Sequence, residues 1–151
     1  MFAPVARPSL ADEWQRFLEP HGWQWFWTLT CAYGAQQHKI DKLFSVAIQR
    51  LGRIAVGRRW YRRAAVPIVW ARVTERSRTR ERHVHVLILS RGADLTWAEN
   101  EDALLHWRQK MGFAQVKRLS SPRRAVRYLA KQTDDDAEID VSPDLKGSQT
   151  S

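Results

Sequence analysis

The residues best suited to chemistry are two histidines, His83 and His85, in the run Arg82-His83-Val84-His85-Val86-Leu87-Ile88-Leu89. The run is rich in Val, Ile and Leu and is closed by Ser90-Arg91-Gly92, so the sequence predicts a β-strand. Side chains alternate along a strand, which puts both imidazoles on one face, roughly 7 Å apart. That separation suits two ligands of one cation; the plain alternative is a pair of histidines on a half-buried strand. Tyr128 and Lys131, three residues apart on a predicted late helix, add a hydroxyl and a cation.

The elements around them follow from local patterns. Leu10 to Glu19 reads as a short helix after a loose arm over residues 1–9, with Ser9 as its cap and Pro20 and Gly22 at its end. Trp23 to Cys31 reads as the first strand, with Trp23, Trp25, Trp27, Leu29 and Cys31 on one face and Gln24, Phe26, Thr28 and Thr30 on the other. From Gln36 to about Ile54, apolar residues at Ile40, Leu43, Phe44, Ala47, Ile48 and Leu51 give the period of an amphipathic helix. Arg58 to Arg63 reads as a basic loop and Val66 to Glu75 as a second strand. The short polar link Arg76 to Arg80 makes that strand and the histidine strand an antiparallel hairpin.

Asp94 to Lys110 reads as one helix, with a Thr96/Glu99 capping box and Gly112 just past its end. Phe113 to Leu119 is a further strand, and Pro122 opens the helix that carries Tyr128. The order β-α-β-β-α-β followed by a helix predicts an α+β fold of the ferredoxin-like, split βαβ kind. In such a fold a central antiparallel sheet carries its helices mainly on one face, leaving the other for a site. Residues 1–133 read as one domain, and residues 134–151 as an acidic, disordered tail.

Composition narrows the function. With 44% hydrophobic and 27% charged residues in 151, the chain reads as a soluble globular protein. It has no apolar run of about 20 residues to span a membrane and no signal-peptide plan at its start. One cysteine, Cys31, rules out an internal disulfide and fits a reducing cytoplasm. The net charge is +9, and residues 50–82 hold eleven arginines against Glu75 and Glu81. The guanidinium fork matches phosphate, so this balance points to a nucleic acid. Among eight tryptophans most are expected in the core, with one or two available to stack on bases.

Three elements in order resemble the motifs of the HUH endonucleases, in particular the rolling-circle replication initiators (Rep proteins) of small plasmids and single-stranded DNA viruses. They are the strand Phe26-Trp27-Thr28-Leu29-Thr30, the pair His83-Val84-His85, and Tyr128-Leu129-Ala130-Lys131. The resemblance implies a single catalytic tyrosine, Tyr128, that attacks a phosphodiester and forms a 5′-phosphotyrosyl link. It implies a divalent metal, Mn²⁺ or Mg²⁺, on His83 and His85, acting on the phosphate as a Lewis acid. Lys131 would favour the phenolate or hold the phosphate. An oxygen ligand is still needed. Glu75, ending the strand that hairpins onto the histidines, is the first choice; Glu81 and Gln132 are the alternatives.

Implied partners are single-stranded DNA, with an origin hairpin, and a host helicase and polymerase, because the sequence has no Gly-x-x-x-x-Gly-Lys-Ser/Thr phosphate loop. Arg123, Arg124 and Arg127 beside the tyrosine, and Arg58, Arg59, Arg62 and Arg63, are the expected DNA-backbone contacts. Two other readings stay open. Gln132, four residues after Tyr128, also matches the single-tyrosine transposases of that superfamily. A non-catalytic ferredoxin-like nucleic-acid-binding domain would use the tryptophans and arginines alone.

Overall fold

The computed structural model describes residues 9–57, 67–75 and 81–149. The expected basic loop with Arg58, Arg59, Arg62 and Arg63, and the link 76–80, lie outside the described residues. The elements are α1 (Leu10–Leu18), β1 (Trp25–Thr30), α2 (Gln37–Val56), β2 (Ile68–Glu75), β3 (His83–Ser90), α3 (Trp97–Ala103), α4 (Leu105–Lys110), β4 (Ala114–Arg118), α5 (Pro122–Lys131), β5 (Ile139–Val141) and α6 (Pro143–Gln149). The strands form one antiparallel sheet in the order β4-β1-β3-β2-β5. Its first four strands have the split βαβ arrangement, so the fold is α+β as expected. Among the described residues no helix is long and apolar enough to cross a membrane.

Alternation along the strands sorts the apolar residues into two layers. Trp25, Trp27, Leu29, Val84, Val86 and Ile88 pack under α2, α3 and α4. On the other face Val69, Ala71, Val73 and Leu87 pack with Leu18 of α1, Val126 and Leu129 of α5, and Leu145 of α6. This second layer covers only part of its face and leaves the end bearing Thr30, His83 and Glu75 half-exposed.

Three expectations need correction. The first strand begins at Trp25, and Trp23 sits in the layer opposite Trp25 and Trp27. A tight turn explains this: the Trp23 N–H donates to the His21 carbonyl at 3.0 Å and its indole to the Leu18 carbonyl at 2.8 Å. Residues 94–110 form two helices, because the Leu104 N–H bonds the Glu101 carbonyl one turn too tightly (3.1 Å). That break lets Leu104 and Trp107 both bury completely.

The third correction concerns residues from 134 onward, expected as a disordered tail. Gln132–Asp135 form a 3₁₀ turn, β5 pairs with β2, and Val141 and Leu145 are buried. The acids there have partners: Arg72 and Lys146 bind Asp140 at 3.5 and 3.1 Å, and Arg91 binds Asp144 at 3.0 Å. Charge composition outweighed the three apolar residues Ile139, Val141 and Leu145 in the sequence reading; those three are enough to dock the segment.

Candidate active site

The site grows from strand register. β1 and β3 pair so that Thr28 lies opposite His85 and Thr30 opposite His83, all pointing to the face away from α2. Each threonine hydroxyl lies beside the Nδ1 of its histidine, at 3.5 Å for Thr28–His85 and 3.2 Å for Thr30–His83. When Nδ1 carries the proton and donates to the threonine oxygen, Nε2 is left with its lone pair outward. The two rings lie nearly parallel, their centroids 6.3 Å apart.

β2 brings the carboxylate. Glu75 is paired in register with His83, and its Oε2 lies 2.9 Å from Nε2 of His85. Of the three expected oxygen donors it alone meets a histidine: Glu81 is exposed just ahead of β3, and the Gln132 amide donates to the Tyr128 carbonyl at 3.4 Å. His85 is almost fully buried, and desolvation lowers its pKa from the ordinary 6.5 despite the opposing pull of Glu75. It is therefore neutral at pH 7, the form that ligates metals.

The donor types, two imidazoles and a carboxylate on one face, fit a divalent ion. They are not closed on one point: among the described residues no three His, Cys, Asp or Glu side chains stand in metal-binding geometry. His85 and Glu75 are bonded to each other, and a cation would have to replace that bond.

α5 places Tyr128 over this group. The edge of its ring meets His85 at 5.2 Å between centroids, with the planes 87° apart, and meets Phe26 at 6.2 Å. Phe26 in turn stacks on His85 at 5.7 Å. Tyr128 remains 45% exposed, so a substrate can reach it. Partial burial, and then the Glu75 carboxylate, raise its phenol pKa above 10.

A cleft of about 420 Å³ opens beside the tyrosine, lined by Phe26, Thr28, Lys117, Ser121 and Arg124 among others. Arg124 thus joins the site as expected. Lys131 and Arg127 line a different cleft, against Ser9, Asp12 and Gln15 at α1. The expectation that Lys131 shares a helix face with Tyr128 is corrected: three helical positions rotate it toward α1. Arg123 is paired with Glu19 at 2.9 Å. Sequence reading missed Lys117, Phe26 as a ring beneath His85, and the threonine contacts. Alternation along β1 and β4 puts all of these on the histidine face, and that was the available signal.

An antiparallel α+β sheet with a histidine pair, a carboxylate and an exposed tyrosine on one face is the framework of a nucleic-acid-processing domain. The family model of the replication-associated protein ORF2 matches residues 24–137, most of the chain and every element of this site. The chain belongs to that family, which gives it a role in DNA replication and a DNA partner. Comparison with curated proteins and with solved structures gave no match.

Proposed function

We propose that this protein initiates rolling-circle replication by cutting and rejoining one DNA strand at Tyr128. The observation that carries the reading is the seating of Tyr128 on His85, with Glu75 bonded to that same histidine. The Tyr128 Oη attacks the scissile phosphorus, the bond from phosphorus to the 3′-oxygen breaks, and that oxygen leaves as a 3′-hydroxyl with the phenol's proton. The DNA is left joined through its 5′-phosphate to Tyr128. The reverse exchange rejoins strands without an outside energy source. Lys117 and Arg124, at the cleft beside Tyr128, would hold the phosphate in line. A Mn²⁺ or Mg²⁺ ion on His83, His85 and Glu75 would supply Lewis-acid polarisation of the phosphate. A helicase and polymerase of the host would extend the freed 3′ end.

The choice of Glu75 over Gln132 favours the replication initiator over a single-tyrosine transposase, because Gln132 is turned back onto its own helix. The test is a fluorescent single-stranded oligonucleotide incubated with the full chain and Mn²⁺. A covalent adduct stable to SDS is expected, and Tyr128→Phe should bring it below detection. An adduct undiminished in Tyr128→Phe would sink the assignment. Binding without any adduct would favour the non-catalytic domain.

A further inference from the structure

A second basic cleft, of about 620 Å³, lies between the β1–α2 loop, the start of α2 and the end of α4. Lys39, Lys42 and Lys110 line it, Leu43 and Met111 are its apolar residues, and Tyr33 stands at it 74% exposed. None of its lining residues is acidic. The three lysines have no carboxylate partner among the described residues, whereas Asp41 of the same helix is engaged by Arg72 at 2.9 Å. The first turn of α2 has no acid and its N-cap has no side-chain bond, so the positive end of a 20-residue helix adds to the lysines.

The cleft is built, not an accident of loop shape. The Ala32 N–H contacts the Met111 sulfur at 3.3 Å, and the Arg82 guanidinium donates to the Ala35 carbonyl. Gly34 takes the positive φ of 74° that turns the chain after Tyr33. The cleft also adjoins the active site. Thr30, which contacts His83, is three residues from Tyr33, so their Cα atoms are at most roughly 11 Å apart. The Thr30 N–H bonds the carbonyl of Phe113, two residues past Met111, and the Phe113 side chain is exposed.

We propose that this cleft is a second binding site for the DNA strand cut at Tyr128: Lys39, Lys42 and Lys110 hold successive phosphates, and Tyr33 stacks on a base. The inference rests on the proposed function above. A strand drawn across the histidines turns round the end of the sheet and is held on the α2 side, a few nucleotides from the cut. Cationic grooves with an exposed aromatic ring suit single strands, whose bases are free to stack. The site gives grip and direction, not sequence choice.

The test is fluorescence anisotropy of a labelled 20-nucleotide oligo-dT with the full chain, over a series of salt concentrations. In the triple variant Lys39→Ala, Lys42→Ala, Lys110→Ala, affinity should fall at least about tenfold. The log–log salt slope should shrink by about 2, three phosphates at ~0.7 each. Tyr33→Ala should weaken binding about fivefold or more, and Tyr33→Phe should restore it, since stacking needs only the ring. These side chains are exposed, and circular dichroism verifies that the variants stay folded. Wild-type protein that fails to bind the oligonucleotide overturns the proposed function and this inference with it. Wild-type binding with an unchanged affinity and slope in the triple variant overturns this inference alone. So does a loss confined to duplex DNA, or one seen only with RNA or anionic vesicles.

Discussion

His85 is the residue on which the site's balance turns. It is nearly buried, bonded to Glu75, flanked by Thr28 and Phe26, and covered by the tyrosine edge. Burial lowers its pKa, so the folded protein resists the proton that the unfolded chain accepts near pH 6.5. The unfolded state then binds more protons, and stability must fall as pH drops below about 6.5 until the folded imidazole itself titrates. His21 is shifted in the same direction, by burial and then by Arg91, so its contribution has the same sign. Urea melts in EDTA between pH 7.5 and 5 should show this loss. His85→Gln should reduce it and leave the part due to His21; an unaltered pH dependence would put the acid sensitivity elsewhere.

The elements divide into those that carry the site and those that hold them in place. β1, β3 and β2 supply the ligand face through register alone, and α5 is held over it by burial of Val126 and Leu129. α1 backs α5 from the far side, pinned by the Arg123–Glu19 pair and by a capping box between Ser9 and Asp12. α6 matters more than its length suggests. Leu145 is completely buried beside Ala71, Val73 and Val141, in the layer that also seats α5. Leu145→Ala should cost about 2–4 kcal/mol of stability in a denaturant melt. A cost below ~1 kcal/mol would mean that α6 is loosely docked.

Seen whole, the molecule was legible in sequence wherever period and chemistry agreed. The strand periods gave the histidine face and the hairpin that delivers Glu75, and the 3.6-residue period gave α2. Trp23 was misplaced because an aromatic run reads as strand throughout, while a turn at His21–Trp23 resets its phase. Lys131 was misplaced because sequence spacing does not say which side of α5 another helix occupies, and α1 takes that side. The arginine-rich stretch dominated the DNA reading, yet the cleft beside Tyr128 has Lys117 and Arg124, and the second cleft has only lysines. Both are assembled from distant segments, and pairings of that kind leave no local mark. The acidic end was read by charge alone, and its few apolar residues were outvoted.

The docking of β5 on β2 also bears on how the chain is made. Until Ile139–Val141 arrive, β2 is the edge of the sheet, and its run Ile68-Val69-Trp70-Ala71-Arg72-Val73 presents unpaired backbone groups. Asp140, which pairs with Arg72, follows it by 68 residues. At the ribosome's pace of about 5–20 residues per second, the half-made protein carries a sticky border for seconds. A chain ended before Ile139 would keep that border permanently. It should associate through it at micromolar concentration, seen by sedimentation as dimers and larger species, where the full chain stays apart. Translation speed over these 68 residues, and any chaperone that shields a nascent edge, would then govern how much usable protein a cell obtains.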